Sequence, residues 1–199
     1  MTHTIDFYFD FRSPYAYLAH TQLPRIAVEH RVTIAYYPFR VLELMRLIGN
    51  TPTTVECKNK NIYAGADLRR WSKRYDVDFV RNPHVKSFNL GELSQGALIA
   101  IEDGRGTEYV STIFNAYWAE QADLSRRSVL IGVLKSAGFD ASTLLDRTNT
   151  EDLAAKLDAA TQAAARRGVF GAPTMFVGDE MFFGNDRLDF VTEAVRSTP

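Results

Sequence analysis

The chain has 199 residues, of which 46 % are hydrophobic and 24 % charged, the composition of a folded globular protein. Lys and Arg number 23 against 24 Asp and Glu, so nothing in the net charge of −1 attracts a polyphosphate backbone or an anionic membrane. The single cysteine, Cys57, excludes an intramolecular disulfide and any cysteine-rich zinc site.

Residues Thr4 to Phe11 alternate strictly. Ile5, Phe7, Phe9 and Phe11 share one face, and Asp6, Tyr8 and Asp10 the other, which predicts a strand. Ser13-Pro14 then opens a helix whose apolar positions are Ala16, Leu18, Ala19, Leu23, Ile26 and Ala27. Serine is a favoured N-cap, and proline is tolerated at the first helical position because its missing N–H is unpaired there anyway. Pro24 is expected to kink or divide this helix. Arg31 to Tyr37 is rich in β-branched and aromatic residues and reads as a second strand, parallel to the first.

From Pro38 to about Arg167 the pattern is helical, broken at Gly49-Asn50-Thr51-Pro52, Asn82-Pro83 and Gly104-Arg105-Gly106. Val110, Ile113, Phe114, Tyr117 and Trp118 form a wide apolar stripe. Ser128 to Ala137 and Thr150 to Arg167 are further helices, the latter capped by Asn149 or Thr150 and stopped at Gly168. The tail returns to strands at Thr174–Val177 and Met181–Phe183, joined by a tight turn. A last helix, from Leu188, is capped by Asn185 or Asp186. An α/β sheet domain split by a helical insertion follows from this order, with residues 1–45 and 165–199 flanking 46–164.

Arg69-Arg70, Arg126-Arg127 and Arg166-Arg167 read as solvated helix faces, not a nucleic-acid groove. His3, His20, His30 and His84 lack metal-ligand spacing and read as surface or capping residues. No apolar run approaches the ~20 residues that cross a bilayer, and the acidic start is unlike a signal peptide, so a cytoplasmic protein is expected.

Three loops lie at strand–helix junctions of the split domain. Phe11-Arg12-Ser13-Pro14-Tyr15 places a hydroxyl at a helix N-terminus, where free N–H groups and the helix dipole stabilise an anion. Gly171-Ala172-Pro173-Thr174 enters a strand through a proline between small residues, which alone reads as a tight entry, since a cis X–Pro bond is uncommon. Gly184-Asn185-Asp186-Arg187 offers a carboxylate to an amine and N–H groups to a carboxylate. Each loop alone is equally well a cap or a turn.

The strings IDFYFDFRSPYAYLA and RGVFGAPTMFVGDEMFFGNDRLDF, with GNTPTTVECKNKNIYAGADLRRW between them, resemble 2-hydroxychromene-2-carboxylate isomerases. These are relatives of kappa-class glutathione transferases and of DsbA-type oxidoreductases, and the likeness runs from Ile5 to about Val195. The resemblance implies a thioredoxin-like fold with an inserted α-helical domain, a glutathione site between the two domains, and a homodimer. It implies that Ser13 hydrogen-bonds the glutathione sulfur and that Ala172, before a cis Pro173, pairs with the cysteinyl backbone. It assigns Phe183, Gly184, Asn185 and Asp186 to the γ-glutamyl end, with Asp186 on the amine. Asn50 and Lys58 fall where relatives contact glutathione or substrate, with Lys60 as a competitor for Lys58. Tyr117 and Trp118 are candidates to hold an aromatic ring, although a tryptophan on an apolar stripe is more often core.

Dithiol exchange needs one thiolate to attack and a second thiol to resolve, and Ser13-Pro14-Tyr15-Ala16 supplies neither. No His–Asp pair accompanies Ser13 to make it a nucleophile. The remaining role is that of a donor to the thiolate of bound glutathione. In the implied reaction a small aromatic-derived substrate, 2-hydroxychromene-2-carboxylate, becomes trans-o-hydroxybenzylidenepyruvate in naphthalene-type catabolism. Reversible thiolate addition frees the double bond to rotate, and Lys58 or Lys60 steadies the enolate charge. The alternative is a kappa-like transferase that keeps the thioether.

Overall fold

A computed structural model of the chain describes residues 4–197, so His3 lies outside the described residues. The first strand, β1 (Thr4–Phe9), pairs in parallel with β2 (Thr33–Pro38), setting Ile5 opposite Ile34 and Phe7 opposite Tyr36. On its other edge β1 runs antiparallel to β3 (Thr174–Val177), which pairs in turn with β4 (Glu180–Phe183). The sheet order is therefore β2-β1-β3-β4, with the two ends of the chain meeting at its centre.

The alternation in β1 sorts its side chains onto two apolar layers. Ile5, Phe7 and Phe9 pack in one core, while Tyr8 packs in the other with Phe39, Val41, Leu44 and Phe176. Asp6, on the second face, is held by Arg167 at 2.6 Å, and the same guanidinium donates to the Tyr8 hydroxyl at 3.0 Å. Arg167 also lies over the Phe176 ring at 3.9 Å, so this arginine seals the sheet and does not belong to a solvated helix face.

The strand ends two residues earlier than its alternation predicts. The buried carboxylate of Asp10 accepts the N–H groups of Arg12 and Val41, each at 2.8 Å. Its carbonyl accepts the N–H of Ser13 at 2.9 Å, and these bonds turn the chain out of the ladder. Ser13 then caps α1 (Pro14–His30) by accepting the Ala16 N–H at 3.1 Å. Pro24 does not divide α1, which runs on to a left-handed Arg31 at φ 56°. Losing one backbone bond costs less than losing the packing of Leu23, Ile26 and Ala27, all in the core.

Between β2 and β3 lie α2 (Val41–Leu47), α3 (Thr53–Glu56), α4 (Lys58–Tyr75), α5 (Leu90–Glu102), α6 (Gly106–Trp118), α7 (Arg127–Ser136), α8 (Ala141–Asp146) and α9 (Glu151–Arg166). Thr150 is the cap of α9, its hydroxyl accepting the Leu153 N–H at 3.3 Å. The chain closes with α10 (Leu188–Ser197). The stripe of α6 packs on the sheet through Phe114, whose ring centroid is 4.9 Å from Phe11 and 5.7 Å from Phe9.

His20 is not a surface or capping residue. It is 3 % exposed, stacked on Phe7, and shares a 2.8 Å hydrogen bond between Nε2 and the Ser111 hydroxyl of α6. Burial pushes its pKa down to about 3, so the ring is neutral and serves as a core residue.

Candidate active site

The three junction loops converge on one cavity of about 950 Å³. Ser13, Asn50, Ala172, Phe183, Gly184, Asn185 and Asp186 all line it. Ser13 sits at the head of α1, and its hydroxyl donates to the Ala172 carbonyl at 2.9 Å while accepting the Ala16 N–H. One side chain thus ties the helix N-terminus to the loop that enters β3. The Ala172–Pro173 bond is cis, as the resemblance implied. The N–H of Ala172 finds no acceptor among the described residues, which leaves a main-chain donor beside the Ser13 hydroxyl.

Gly171 packs directly under Phe183, and a Cβ there would lie 2.8 Å from the ring. Phe183 in turn packs against Phe170 with ring centroids 4.4 Å apart and planes tilted by 46°, so the aromatic pair frames the loop. At Gly184 the backbone takes φ 102°, which L side chains rarely adopt, and a Cβ would come within 2.4 Å of an Asp186 oxygen. Neither Asn185 nor Asp186 caps α10 with its side chain. A short 3₁₀ turn, Asn185–Arg187, leads into that helix instead. Asn185 is buried, and its carbonyl accepts the Tyr75 hydroxyl at 2.7 Å. Asp186 accepts from its neighbour Arg187 at 2.5 Å in a partly exposed pair.

Asn50 spans the rim by donating to the Phe170 carbonyl at 3.0 Å and accepting the Thr51 N–H at 2.9 Å. The two lysines are placed differently. Lys58 and Lys60 are exposed in the first turn of α4 and are not lining residues, and Lys60 reaches the Thr53 hydroxyl at 3.2 Å. The face of α4 turned to the cavity carries Asn61, Ala64, Asp67, Leu68 and Trp71, one residue per turn or so. Trp118 lines the cavity and is also core, 6 % exposed, with Nε1 donating to the Phe11 carbonyl at 3.0 Å. Tyr117 is buried against Phe88 and is not a lining residue.

Sequence reasoning missed Tyr15 and Asp67. The Tyr15 hydroxyl donates to the Asp67 carboxylate at 3.2 Å across the cavity wall. Burial, reinforced by the Asp67 charge, holds the phenol above its ordinary range, so it stays a donor. A carboxylate on the inward stripe of an amphipathic helix was the signal that marked Asp67. Arg12 and Arg81 also border the cavity, and no local pattern connected them.

Among the described residues no histidine lines this cavity, so none of them stands beside Ser13 as a general base of the hydrolase kind. Among the described residues no group of three or more His, Cys, Asp or Glu is placed to hold a metal ion. Among them, too, no helix is long and apolar enough to cross a membrane. What the arrangement offers is a hydroxyl and a helix N-terminus for an anion, the main chain of Ala172 before β3, and the Asp186 carboxylate in the same cavity.

Residues 4–196 match the family model for the DSBA-like thioredoxin domain. A 2-hydroxychromene-2-carboxylate isomerase of Pseudomonas sp. (strain C18) is 35 % identical over 198 residues, covering 98 % of this chain and 91 % of the relative. A solved 2-hydroxychromene-2-carboxylate isomerase superposes with a TM-score of 0.88 at 34 % identity, covering 97 % of this chain and 94 % of the other. More distantly, a glutathione S-transferase kappa 1 of Caenorhabditis elegans is 24 % identical over 205 residues, 96 % of this chain and 90 % of its own. With its sheet interrupted by a helical insertion and its serine at the head of α1, the chain belongs to the 2-hydroxychromene-2-carboxylate isomerase family of the DSBA-like thioredoxin fold, and is an isomerase.

Proposed function

We propose that this isomerase uses glutathione to convert 2-hydroxychromene-2-carboxylate to trans-o-hydroxybenzylidenepyruvate, in the catabolism of naphthalene-type aromatics. The observation that carries the reading is the pairing of Ser13 with Ala172, which sets a hydroxyl, a helix N-terminus and an unused main-chain N–H side by side in the cavity. Such a set fits a cysteinyl tripeptide: the N–H receives a backbone carbonyl, and the hydroxyl and dipole receive the sulfur. When bound, glutathione supplies the thiolate nucleophile that the chain itself lacks at this position.

The chain's own groups then have definite tasks. Ser13 already uses its oxygen to accept the Ala16 N–H, and its one hydrogen points to the Ala172 carbonyl. Rotating that hydrogen onto sulfur keeps the cap and exchanges a neutral acceptor for a charged one, the stronger bond. Asp186 holds the γ-glutamyl amine in exchange for Arg187, at small loss, because an exposed ion pair contributes only ~0–1 kcal/mol. Gly184 leaves room for that exchange, and Phe183 and Asn185 shape the pocket around it. Asn50 braces the rim on which the substrate enters. A homodimer in the cytoplasm, with residues 46–164 as the inserted domain, completes the reading.

The test is spectrophotometric. Purified protein is mixed with the hydroxychromene carboxylate with and without glutathione, and free thiol is counted before and after. The expected result is isomerisation that requires glutathione and consumes none. Equal rates without any thiol remove the cofactor role. Stoichiometric thiol loss would instead favour a kappa-like transferase, the reading nearest to the more distant relatives.

A further inference from the structure

The cavity is polarised in a way that the glutathione residues do not account for. Its two carboxylates are both engaged, Asp67 by the Tyr15 hydroxyl and Asp186 by Arg187. Arg12 and Arg81 also line it, and their exposed side chains have no hydrogen-bond or ion-pair partner among the described residues. Both arginines are fastened to the same residue. Trp118 donates through Nε1 to the carbonyl of Phe11, immediately before Arg12. Its own carbonyl accepts the N–H of Val80, immediately before Arg81, at 2.7 Å.

The segment bearing Arg81 is locked again by Asn82, 1 % exposed, which donates to the Tyr117 and Ala122 carbonyls at 3.1 Å and 2.9 Å. On the same segment Phe79 lies nearly parallel to the Trp118 indole, with ring centroids 5.7 Å apart and planes 20° apart. Two cations, each borne next to backbone fastened to Trp118, thus line the same cavity as this aromatic surface. At about 950 Å³ the cavity is at the upper end of the roughly 300–1,000 Å³ of ordinary ligand sites, which leaves space beside a tripeptide.

We propose that Arg12 and Arg81 form the carboxylate subsite of the second substrate, with the Phe79–Trp118 stack receiving its planar ring. This deepens the function proposed above and rests on it for the identity of the substrate, although the subsite itself requires only a flat aromatic carboxylate. Guanidinium groups suit the task because their planar fork matches a carboxylate and their charge does not titrate. The glycyl carboxylate of glutathione is the other source of the same chemistry, and the experiment separates the two.

The probe is chromone-2-carboxylate, compared with its neutral carboxamide by Trp-fluorescence and calorimetric titration without glutathione. The protein as purified is expected to prefer the acid by about tenfold or more. Arg12→Gln and Arg81→Gln should each cut that preference about threefold, as partly solvated contacts do, and the double variant should abolish it. Raised salt should narrow the preference in the parent protein. Thermal melts check that these surface changes leave the fold intact. The subsite is overturned if the parent protein shows no preference, or if the double variant keeps it. It is equally overturned if the double variant loses glutathione affinity while the probe binds unchanged, because the arginines then serve the tripeptide. A parent that prefers the acid and a double variant that does not, together with absence of isomerase activity in the parent, would sink the proposed reaction and leave the subsite standing.

Discussion

The two sides of the cavity are built on different principles. On the sheet side, Ser13, Ala172 and Gly184 act through main chain and one hydroxyl, at junctions where a strand meets a helix or a turn. On the helical side, Trp118, Phe79, Asp67 and Arg81 act through side chains carried by segments that are remote in sequence. A main-chain site demands small residues, special backbone angles and a helix start, and therefore tolerates few alternatives. A side-chain wall demands only that some residue of suitable shape and charge arrive there, so it can change without disturbing the sheet side. On the proposed function, the difference separates the side that would hold glutathione from the side that would select the substrate.

The contrast breaks most directly at Trp118, which serves the core and the wall together. Trp118→Ala should cost ~3–5 kcal/mol by chemical denaturation, the range for a large aromatic removed from a packed interior. A loss below ~1 kcal/mol would mean that the helical side is not fastened to Phe11 and Val80 as described. His20 tests the seam between the same two sides. Its ring is neutral in the folded chain, with a pKa near 3 against an ordinary 6.5. Above pH 6.5 it contributes no pH dependence; below, the unfolded chain binds a proton that the folded one refuses, so stability falls as pH falls. Between pH 6.5 and 5 the loss should approach ~2 kcal/mol, and His20→Phe should flatten that part of the profile. An unchanged slope would show that the ring is not sealed between Phe7 and α6.

Ser13→Ala sharpens the sheet side. Removing the cap should cost ~1 kcal/mol of stability whichever role the serine has. Only a donor to sulfur predicts that the bound thiol's pKa also rises, by about one to two units, with a neutral-pH rate about ten- to hundredfold lower. Titrating thiolate absorbance of the glutathione complex across pH distinguishes the two, and an unmoved thiol pKa leaves Ser13 a cap alone. The smallest effect is expected at Lys58. Because it is exposed at the start of α4 and outside the lining, Lys58→Ala should change kcat/KM by less than about twofold. A tenfold fall would place the lysine in the reaction and redraw the helical side.

Much of the architecture was legible from residues alone. Alternation predicted β1, Ser13-Pro14 announced the head of α1, and the turn near Gly178 announced the β3–β4 hairpin. Boundaries were displaced where a side chain competed with the ladder, as Asp10 does when it ends β1 at Phe9. Burial was misread where a polar residue had a distant partner. His20 and Arg167 both look superficial in sequence, and each is held by a group far along the chain, Ser111 and Asp6.

Strand period, helix caps and positive-φ glycines are decided within a few residues by sterics and local hydrogen bonds, so the sequence by itself determined the elements and the three loops of the sheet side. Which residues face one another across the cavity depends on how the insertion seats on the sheet, and that is set by a handful of long-range bonds. Trp118 to Phe11, Val80 to Trp118 and Tyr15 to Asp67 join segments with no shared local pattern. Only the tertiary structure could therefore leave Lys58 outside the cavity lining, bring Asp67 to its wall, and fasten the backbone before Arg12 and before Arg81 to one tryptophan.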